Sequence, residues 1–526
     1  MRIFWVKVFF LSFFLAIAAR LFYWQVINAP FLQAQAEKQY FTDTKVGAVR
    51  GNILFSDGSI LASSNPVFTL FAQPKLIASN KRVDFSYKLA KVLAEDSDED
   101  VDKVAKDILN NISQDLYWVQ LKKAVTVDTR KRIEQLDLAG VGFETKSSRF
   151  YPEGSSSAHL LGFVGSDAKG ENTGYFGLEG YFDGELKGIS GLVRHERDAS
   201  GLPILTGNFF TNQANNGKDL ILNIDSPVQF IAEKTLKEGI LRYGAKSGLV
   251  VIMDPKTGGI LAQASFPNYD PQNFPNFPKE LYRNPVVADQ YEPGSTFKVL
   301  VMAAALNEDL VKPDTQCDIC SGPIQLGGFS IRTWNNKYFP QTSMKDVIIH
   351  SDNTGMVFIG QKLGLDKFYS YLENFGFGKP TAVDLQDEGA PEIKPKSEWR
   401  EIDLATTSFG QGIAVTPMQM VRAVSAIANK GNLMEPHVVK EIRDGSRVFE
   451  VKPKVVRRII KDSTAKVITE MMVKAVEEGE AKWARPKGFK IAGKTGTAQI
   501  PVAGHYDPNK TIASFVGFAP ADNPGL

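Results

Sequence analysis

The segment YEPGSTFKVL, residues 291–300, raises the first functional question about this chain. It places Ser295 and Lys298 three residues apart, directly after a Pro-Gly turn and among apolar side chains. In a helix, positions i and i+3 share a face, so the hydroxyl and the amine would be neighbours. One interpretation is a helix start with a single outward charge, and the other is a nucleophile beside its base. A lysine can act as that base where burial and nearby charges lower its pKa, because the neutral amine must accept the proton.

A lone Ser-x-x-Lys pattern is weak, because the segment from Ser463 to Lys466 also matches it. Active-site serine enzymes of the penicillin-binding and β-lactamase group carry three motifs in order, S-x-x-K, S-D-N and K-T-G. This chain has the full set at Ser295–Lys298, Ser351–Asn353 and Lys494–Gly496. Ser351 follows Ser295 by 56 residues, and Lys494 follows Asn353 by 141.

The remaining partial matches fail by order or by context. An S-x-N match at Ser63–Asn65 and the matches at Lys246–Gly248 and Lys256–Gly258 all precede Ser295. The last of them follows Asp254-Pro255 and is typical of a hairpin turn. Order therefore favours the nucleophile interpretation of Ser295.

Length and composition predict a folded protein of two or three domains, because 526 residues are too many for one compact core. The chain is 43% hydrophobic and 23% charged, which is ordinary for globular proteins. A net charge of +2 gives no electrostatic argument for nucleic acid as a partner. No histidine adjoins a G-x-S-x-G pattern, so a Ser-His-Asp hydrolase is poorly supported.

The N-terminus predicts a membrane anchor over residues 1–28. It is apolar from Ile3 to Ile27 apart from Lys7 and Arg20, and a helix of that length reaches about 37 Å, enough to cross a bilayer. Basic residues ahead of the span predict a cytoplasmic N-terminus. The alternative is a cleaved signal peptide with a small-residue site at Ala16–Ala18. Either way, the rest of the chain is expected outside the cytoplasmic membrane.

Residues 29–223 predict a non-catalytic, β-rich pedestal domain. Alternating apolar residues around Ser56-Asp57-Gly58 predict a β-hairpin. Residues 84–136 have the composition and spacing of a solvated helical insert, and from Arg149 to Asn223 short strands and Gly-rich turns are expected.

Residues 224–526 predict an α+β domain, an antiparallel sheet covered by helices. Ser226 is the expected N-cap of a helix with Pro227 at its first position. Residues 248–266 predict a strand, tight turn and strand, and residues 488–500 and 511–521 predict a second antiparallel pair. Apolar helical stretches are expected at 296–306, 344–364 and 416–430.

The three motifs resemble those of the penicillin-binding protein transpeptidases. The segments RGNILFSDGSILASS, GLEGYFDGELKGISG, DPKTGGILAQASFPNYDP and SFGQGIAVTPMQM are similar to those of class B, monofunctional members. No glycosyltransferase-like domain precedes them, which disfavours class A. The overall sequence pattern resembles that of the septal, division-associated type. The resemblance implies a multidomain α+β protein: a transmembrane helix, a β-rich, dimerisation-like pedestal, and a transpeptidase domain with a serine β-lactamase-like fold.

The resemblance also implies a mechanism and needs no cofactor or metal. Ser295 would attack the carbonyl of a D-Ala-D-Ala stem peptide, Lys298 would take its proton, and D-alanine would leave. An amine from a neighbouring stem would then capture the acyl-enzyme. Ser351 would relay a proton to the leaving group, and the Asn353 amide would hold the substrate backbone.

The third motif is expected to bind the substrate. Lys494 would add positive potential, Thr495 and Thr497 would bind the terminal carboxylate, and Gly496 would let a substrate strand lie against this edge. The backbone N–H groups of Ser295 and Thr497 would form the oxyanion hole. Expected partners are peptidoglycan stem peptides, β-lactams as covalent inhibitors, the cytoplasmic membrane, a polytopic glycosyltransferase and other division proteins.

Two departures from the family pattern stand out. Asp352 occupies a position where class B enzymes often carry serine, and little change is expected because the side chains given roles flank it. The chain ends at Leu526, where another strand and a C-terminal helix usually follow, so truncation at the C-terminus is expected.

Several alternatives stay open. A β-lactam hydrolase of the same chemistry would need a deacylating carboxylate, and none is identifiable. A non-catalytic division scaffold or a β-lactam sensor would keep the fold without turnover. His350 adjoins Ser351, and its predicted role is structural. Cys317 and Cys320 are predicted to form a local disulfide or an inert loop rather than a metal site.

Overall fold

A computed structural model describes residues 1–95, 99–168, 170–196, 204, 209–482, 485–502 and 505–526. The chain divides into two compact units. Unit 1 comprises Met1–Arg50, Pro66–Ser148 and Lys187–Gly217, and unit 2 comprises Gly51–Asn65, Arg149–Leu186 and Lys218–Leu526.

The described α-helices are α1 (Arg2–Phe22), α2 (Ala29–Tyr40), α3 (Arg82–Glu95), α4 (Val101–Ile112), α5 (Val127–Glu134), α6 (Ala158–Leu161), α7 (Gly177–Tyr181), α8 (Asp183–Lys187), α9 (Ser226–Tyr243), α10 (Pro285–Ala288), α11 (Lys298–Asn307), α12 (Met344–Ile349), α13 (Asn353–Phe375), α14 (Glu401–Thr407), α15 (Pro417–Ala428) and α16 (Asp462–Glu477).

The described strands are β1 (Phe41–Val46), β2 (Ile53–Leu54), β3 (Ile60–Ala72), β4 (Val119–Val125), β5 (Val141–Phe150), β6 (Phe163–Ser166), β7 (Asn172–Tyr175), β8 (Gly191–Glu196), β9 (Phe209–Asn212), β10 (Asp219–Leu222), β11 (Gly248–Met253), β12 (Ile260–Phe266), β13 (Ile324–Leu326), β14 (Phe329–Ile331), β15 (Asn432–Met434), β16 (Val439–Asp444), β17 (Arg447–Glu450), β18 (Val455–Arg458), β19 (Ala492–Val502) and β20 (His505–Phe518).

Unit 1 begins with the predicted apolar span. Helix α1 continues through a π-helical turn, Tyr23–Ile27, into one helix of 26 residues that is long and apolar enough to cross a membrane. None of the residues in α1 is buried. The Arg20 guanidinium lies over the rings of Tyr23 and Trp24, at 5.7 Å and 5.2 Å from their centroids.

The rest of unit 1 combines a small sheet with a helical lobe. Strands β1, β8 and β9 form a three-stranded sheet in which β1 and β8 are antiparallel. Helices α3 and α4 bury Leu89, Ile108 and Ile112 in a core that they share with β3, β4 and α5. The helical insert predicted for residues 84–136 is confirmed for α3, α4 and α5 but wrong for β4, which pairs with Phe68–Ala72 of β3. Strand pairing there outweighs the helix-forming composition of VQLKKAV.

Unit 2 contains the predicted hairpin around Ser56-Asp57-Gly58. Strands β2 and β3 are antiparallel, and the turn is closed by the Phe55 N–H, which donates to the Ser59 carbonyl at 2.9 Å. Strand β2 also pairs in parallel with β10, which pairs with β16. This hairpin is therefore part of a sheet that also contains β16 and β17 of the 224–526 region.

A buried ion pair stabilises this part of unit 2. Arg149 Nε donates to Glu179 Oε1 at 2.6 Å, and its Nη1 donates to the Gly51 carbonyl at 2.6 Å. Glu179 lies on α7, within the segment where strands and Gly-rich turns were expected. That expectation is wrong for α7 and α8: burial of Leu178 and Leu186 stabilises helical turns that the glycine content did not suggest.

The 224–526 region has the expected pairs of antiparallel strands with helices between them. Strands β11 and β12 pair in one ladder, and β19 and β20 pair in another. Helices α9, α15 and α16 pack against these strands. Helix α9 starts where it was predicted, but its N-cap is Asp225 rather than Ser226, with Asp225 Oδ1 accepting from the Val228 N–H at 3.0 Å.

The largest core of unit 2 surrounds α11. Every residue from Lys298 to Leu306 is buried, so this helix is enclosed on all sides. Cys317 and Cys320 lie in the same core and are joined as a disulfide, one of the alternatives expected from their spacing.

Candidate active site

The turn that carries Ser295 is held by its own backbone and by a neighbouring loop. A 3₁₀ turn, Gly294–Thr296, leads directly into α11. The Gly294 N–H donates to the Gly410 carbonyl at 2.9 Å, and Thr296 Oγ1 donates to the Pro293 carbonyl at 2.6 Å. Ser295 keeps partial exposure while Thr296 is buried, so the serine is the accessible side chain of this turn.

The second motif lies where the chain leaves one helix and enters the next. Helix α12 ends at Ile349 and α13 begins at Asn353, so the helical stretch predicted for 344–364 is broken at the motif. Ser351 has a left-handed backbone, with φ of 57°. Asp352 then caps α13, its Oδ1 accepting from the Thr354 N–H and hydroxyl at 2.7 Å each. The break turns Ser351 and Asn353 toward α11.

Lys298 joins the first two motifs. Its side chain is fully buried, and Nζ donates to the Ser351 carbonyl and to Asn353 Oδ1 at 2.7 Å each. Nζ also lies 3.3 Å from Ser351 Oγ. The Asn353 amide group donates onward to the Arg332 carbonyl at 2.9 Å, which fixes its orientation.

Burial and charge set the protonation of the two lysines. Burial lowers the pKa of Lys298 well below its usual value, and the positive charge of Lys494 lowers it further, against the carboxylates of Asp352 and Glu480. Lys494 is 2% exposed, and burial lowers its pKa to about 8. Burial and the nearby Lys494 charge therefore favour the neutral amine at Lys298, whereas Lys494 keeps its charge at neutral pH.

The third motif lies against the Ser295 turn. Lys494 and Thr497 are paired in β19 with Val516 and Ala513 of β20. A Cβ atom placed on Gly496 would lie 2.8 Å from the Thr296 Cγ2 atom, so only glycine allows this approach. The three motifs that the sequence ordered along the chain therefore converge at one place.

A family model for the penicillin-binding protein transpeptidase domain matches residues 248–526, and a second, for the penicillin-binding protein dimerisation domain, matches residues 45–222. The chain belongs to the penicillin-binding protein transpeptidases. It is 35% identical to Stage V sporulation protein D of Bacillus subtilis (strain 168), over 100% of this chain and 80% of that protein. It is 30% identical to the peptidoglycan D,D-transpeptidase FtsI of Escherichia coli (strain K12), over 95% of this chain and 82% of that protein.

Solved structures of this family share its fold. Penicillin Binding Protein 2X from Streptococcus thermophilus superposes with a TM-score of 0.76 at 26% identity, covering 92% of this chain and 76% of that one. The expected architecture is confirmed: a pedestal of the dimerisation type joined to a transpeptidase domain, with an N-terminal apolar helix that fits an anchor.

The other partial matches to the motifs lie in environments that differ from those of Lys298 and Lys494. Lys466 on α16 is 70% exposed and pairs with Asp462 at 2.8 Å, whereas Lys298 is fully buried. The K-T-G match at Lys256–Gly258 forms a turn in which Asp254 Oδ1 accepts from the Lys256 N–H, as its sequence predicted. Within the described residues, no group of three or more His, Cys, Asp or Glu side chains could hold a metal ion.

Sequence reasoning missed two carboxylates of this site. Asp352 was expected to matter little, yet it caps α13 and its charge acts on Lys298. The Asp-x-Thr spacing of a helix N-cap could have indicated the first of these roles. Glu480 acts on both Lys298 and Lys494, and no local pattern points to it. His350 is exposed, and its ring stacks on Phe339 at 5.3 Å between centroids.

Proposed function

We propose that this chain is a penicillin-sensitive serine D,D-transpeptidase that cross-links peptidoglycan stem peptides. The observation that carries the proposal is Lys298: it is buried, it contacts both Ser351 and Asn353, and it lies one helical turn from Ser295. Burial lowers the pKa of this lysine, which favours the neutral amine that a general base needs.

In the acylation step, Ser295 Oγ bonds to the penultimate D-alanine carbonyl carbon as Lys298 accepts the hydroxyl proton. The C–N bond to the terminal D-alanine then breaks, and that nitrogen receives a proton through Ser351. The product is an ester on Ser295 and a free D-alanine. Both lysines increase positive potential where the oxyanion develops, provided that Lys494 is charged.

In the second step, an amine of a neighbouring stem attacks the ester carbonyl. A C–N bond forms, the C–O bond to Ser295 breaks, and the amine proton passes through Lys298 to Ser295 Oγ. The enzyme returns to its starting state, and the cross-link is an amide.

Substrate binding is assigned to the accessible edge of β19. Thr497 is exposed and Thr495 is half-buried, which supports the proposal that their hydroxyls bind a terminal carboxylate. Gly496 lets β19 approach the Ser295 turn closely, and its backbone is assigned to binding an extended substrate strand. The N–H groups of Ser295 and Thr497 are assigned to the oxyanion hole.

The cellular role proposed here is septal wall synthesis by a single-pass membrane protein with its catalytic unit outside. The helix Arg2–Ile27 supports the anchor, and the basic residues Arg2 and Lys7 ahead of and within it support a cytoplasmic N-terminus. The similarity to FtsI and the septal texture of the sequence support division. A polytopic glycosyltransferase and other division proteins are the proposed partners.

The test is acylation by a fluorescent penicillin, with Ser295→Ala and Ser463→Ala beside the parent. Loss of labelling in Ser295→Ala alone would identify the nucleophile, and the exposed Ser463 provides the matched control. A cross-linking assay with two stem peptides follows. A folded parent that is never labelled would favour the scaffold, and rapid release of hydrolysed penicillin would favour the hydrolase.

A further inference from the structure

A pocket of about 270 Å³ lies beside the second motif in unit 2. One wall is the segment from Thr333 to Phe339, which includes Trp334 and Lys337. A second wall is the turn Glu478–Glu480 that follows α16. Asp352 also lines the pocket, and its chain neighbours Ser351 and Asn353 contact Lys298.

Close packing fixes both walls next to the motif. A Cβ atom on Gly479 would lie 2.6 Å from the Ile349 carbonyl oxygen, so the turn lies directly against the end of α12. On the other wall, the Asn353 amide donates to the Arg332 carbonyl, which immediately precedes Thr333. The pocket is therefore part of the catalytic unit's packed structure.

The charges facing this pocket are predominantly negative. Asp352, Glu478 and Glu480 line it, against Lys337 as the lining cation. Glu478 is already paired with Lys474 at 2.9 Å, outside the lining. In the part of the chain that the structure describes, Glu480 has no ion-pair partner and is exposed, so its carboxylate is available to a ligand.

The aromatic wall points to the same ligand class. Trp334 is 63% exposed and Phe339 is 44% exposed, although large aromatic side chains normally gain by burial. Aromatic faces attract cations, and a carboxylate opposite them adds an ion pair. The pocket volume of about 270 Å³ is just below the range of pockets for drug-sized ligands, and it admits one amino-acid side chain.

We propose that this pocket binds the primary ammonium group of a stem peptide, with Glu480 as the binding carboxylate and Trp334 as the stacking surface. The inference rests on the proposed function and names the chemistry that the acceptor must have. An alkylamine is almost fully protonated at neutral pH, so the bound form is the ammonium ion. It gives one proton to water, the neutral amine attacks the ester on Ser295, and its second proton passes through Lys298 to Ser295 Oγ.

Acceptor and donor stems both carry such an amine. An acceptor amine acts when the acyl-enzyme is consumed, and a donor amine acts when it is formed, so separate measurements of the two steps distinguish them. The acyl-enzyme is formed from a Lys-D-Ala-D-Ala tripeptide with both lysine amines acetylated, and the ratio of aminolysis to hydrolysis is measured. Nα-acetyl-lysine, whose side chain carries an ammonium group, is the test acceptor, and hydroxylamine, uncharged at pH 7.5, is the reference acceptor. Both acceptors pass their proton through Lys298, so comparing them separates the ammonium contact from effects of Glu480 on the lysines.

For an acceptor site, Glu480→Gln lowers the lysine-to-hydroxylamine preference about threefold to fivefold, the upper part of the range of an exposed ion pair. Trp334→Ala lowers it by a similar factor. Glu477→Gln, on the same helix end but outside the pocket, leaves it unchanged. If the pocket instead binds the donor stem, Glu480→Gln lowers the preference of the acylation step for a tripeptide with a free side-chain amine over the acetylated tripeptide.

Unchanged preferences in both steps would overturn the proposal while penicillin labelling stays intact. A binding readout covers an enzyme that does not turn over: Nα-acetyl-lysine should change the tryptophan fluorescence of the full chain, and Trp334→Phe should remove that change. Absence of labelling with the fluorescence change present would contradict the transpeptidase but not the ammonium pocket.

Discussion

A single methyl group on Gly496 should separate the third motif from the nucleophile. The added Cβ would lie 2.7 Å from Ser514 Oγ, 2.8 Å from Thr296 Cγ2 and 3.2 Å from the Pro293 carbonyl oxygen, whereas ordinary contact begins at 3.4 Å. Thr296 is buried and Pro293 presents backbone, so neither can move aside at low cost. Strand β19 must therefore shift by about 0.6 Å at the Thr296 contact.

A displacement of that size at a reacting centre lowers rates by about 10-fold to 100-fold. We expect Gly496→Ala to be labelled by fluorescent penicillin more slowly by that factor, and overpacking to lower its free energy of unfolding by about 1–3 kcal/mol. Labelling rates are measured below the unfolding temperature of both proteins. The matched control is Gly239→Ala within α9, where a Cβ would meet nothing within 4 Å. A folded Gly496→Ala labelled at the parental rate would refute the packing argument.

Three further predictions concern charge. Acylation should decline above about pH 8 as Lys494 loses its charge, and Lys494→Arg should remove that decline, measured as labelling rate from pH 6 to 10. Asp352→Asn should move the acidic limb of the same profile to lower pH, because the Asp352 carboxylate raises the pKa of Lys298 and its removal lowers that pKa. Asp352→Ala should also cost about 1 kcal/mol through the lost N-cap. Burial lowers the pKa of His159 to about 4, so the neutral imidazole contributes fully to stability above about pH 6.5, and this contribution is lost as pH falls toward 4. The free energy of unfolding measured with urea should be about 3 kcal/mol lower at pH 4 than above pH 6.5. His159→Gln should flatten that pH dependence.

The parts of the site that sequence could predict are those with a local signature. Ser295 and Lys298 share one helical turn, which their spacing predicts. The strand that contains Lys494 and its antiparallel partner could also be predicted from their local sequence patterns. The order of the motifs then selected among the matches. The exposure of Lys466 gives the physical reason why the other Ser-x-x-Lys match differs from the first.

The parts that sequence could not predict depend on tertiary contacts. A helix through residues 344–364 satisfied the apolar spacing, but the left-handed Ser351 and the cap at Asp352 divide it. The strand β4 lies in a segment with helical composition, and only pairing with β3 makes it extended. Glu480 reaches the site because Gly479 packs on Ile349, a contact without any sequence pattern.

The break between α12 and α13 connects the fold to the chemistry. A continuous helix would give each backbone carbonyl an intrahelical donor, whereas the break frees the Ser351 carbonyl to accept from Lys298 at 2.7 Å. The buried amine thereby gains acceptors that hold it in place, while burial among the apolar residues of α11 disfavours its charge. Because its pKa in the folded state lies below that of an unfolded lysine, Lys298 contributes less to stability at neutral pH than it would above about pH 10. The same burial that lowers the stability contribution of Lys298 favours the neutral amine that a base for Ser295 requires. The apolar core around α11 offsets this loss of stability.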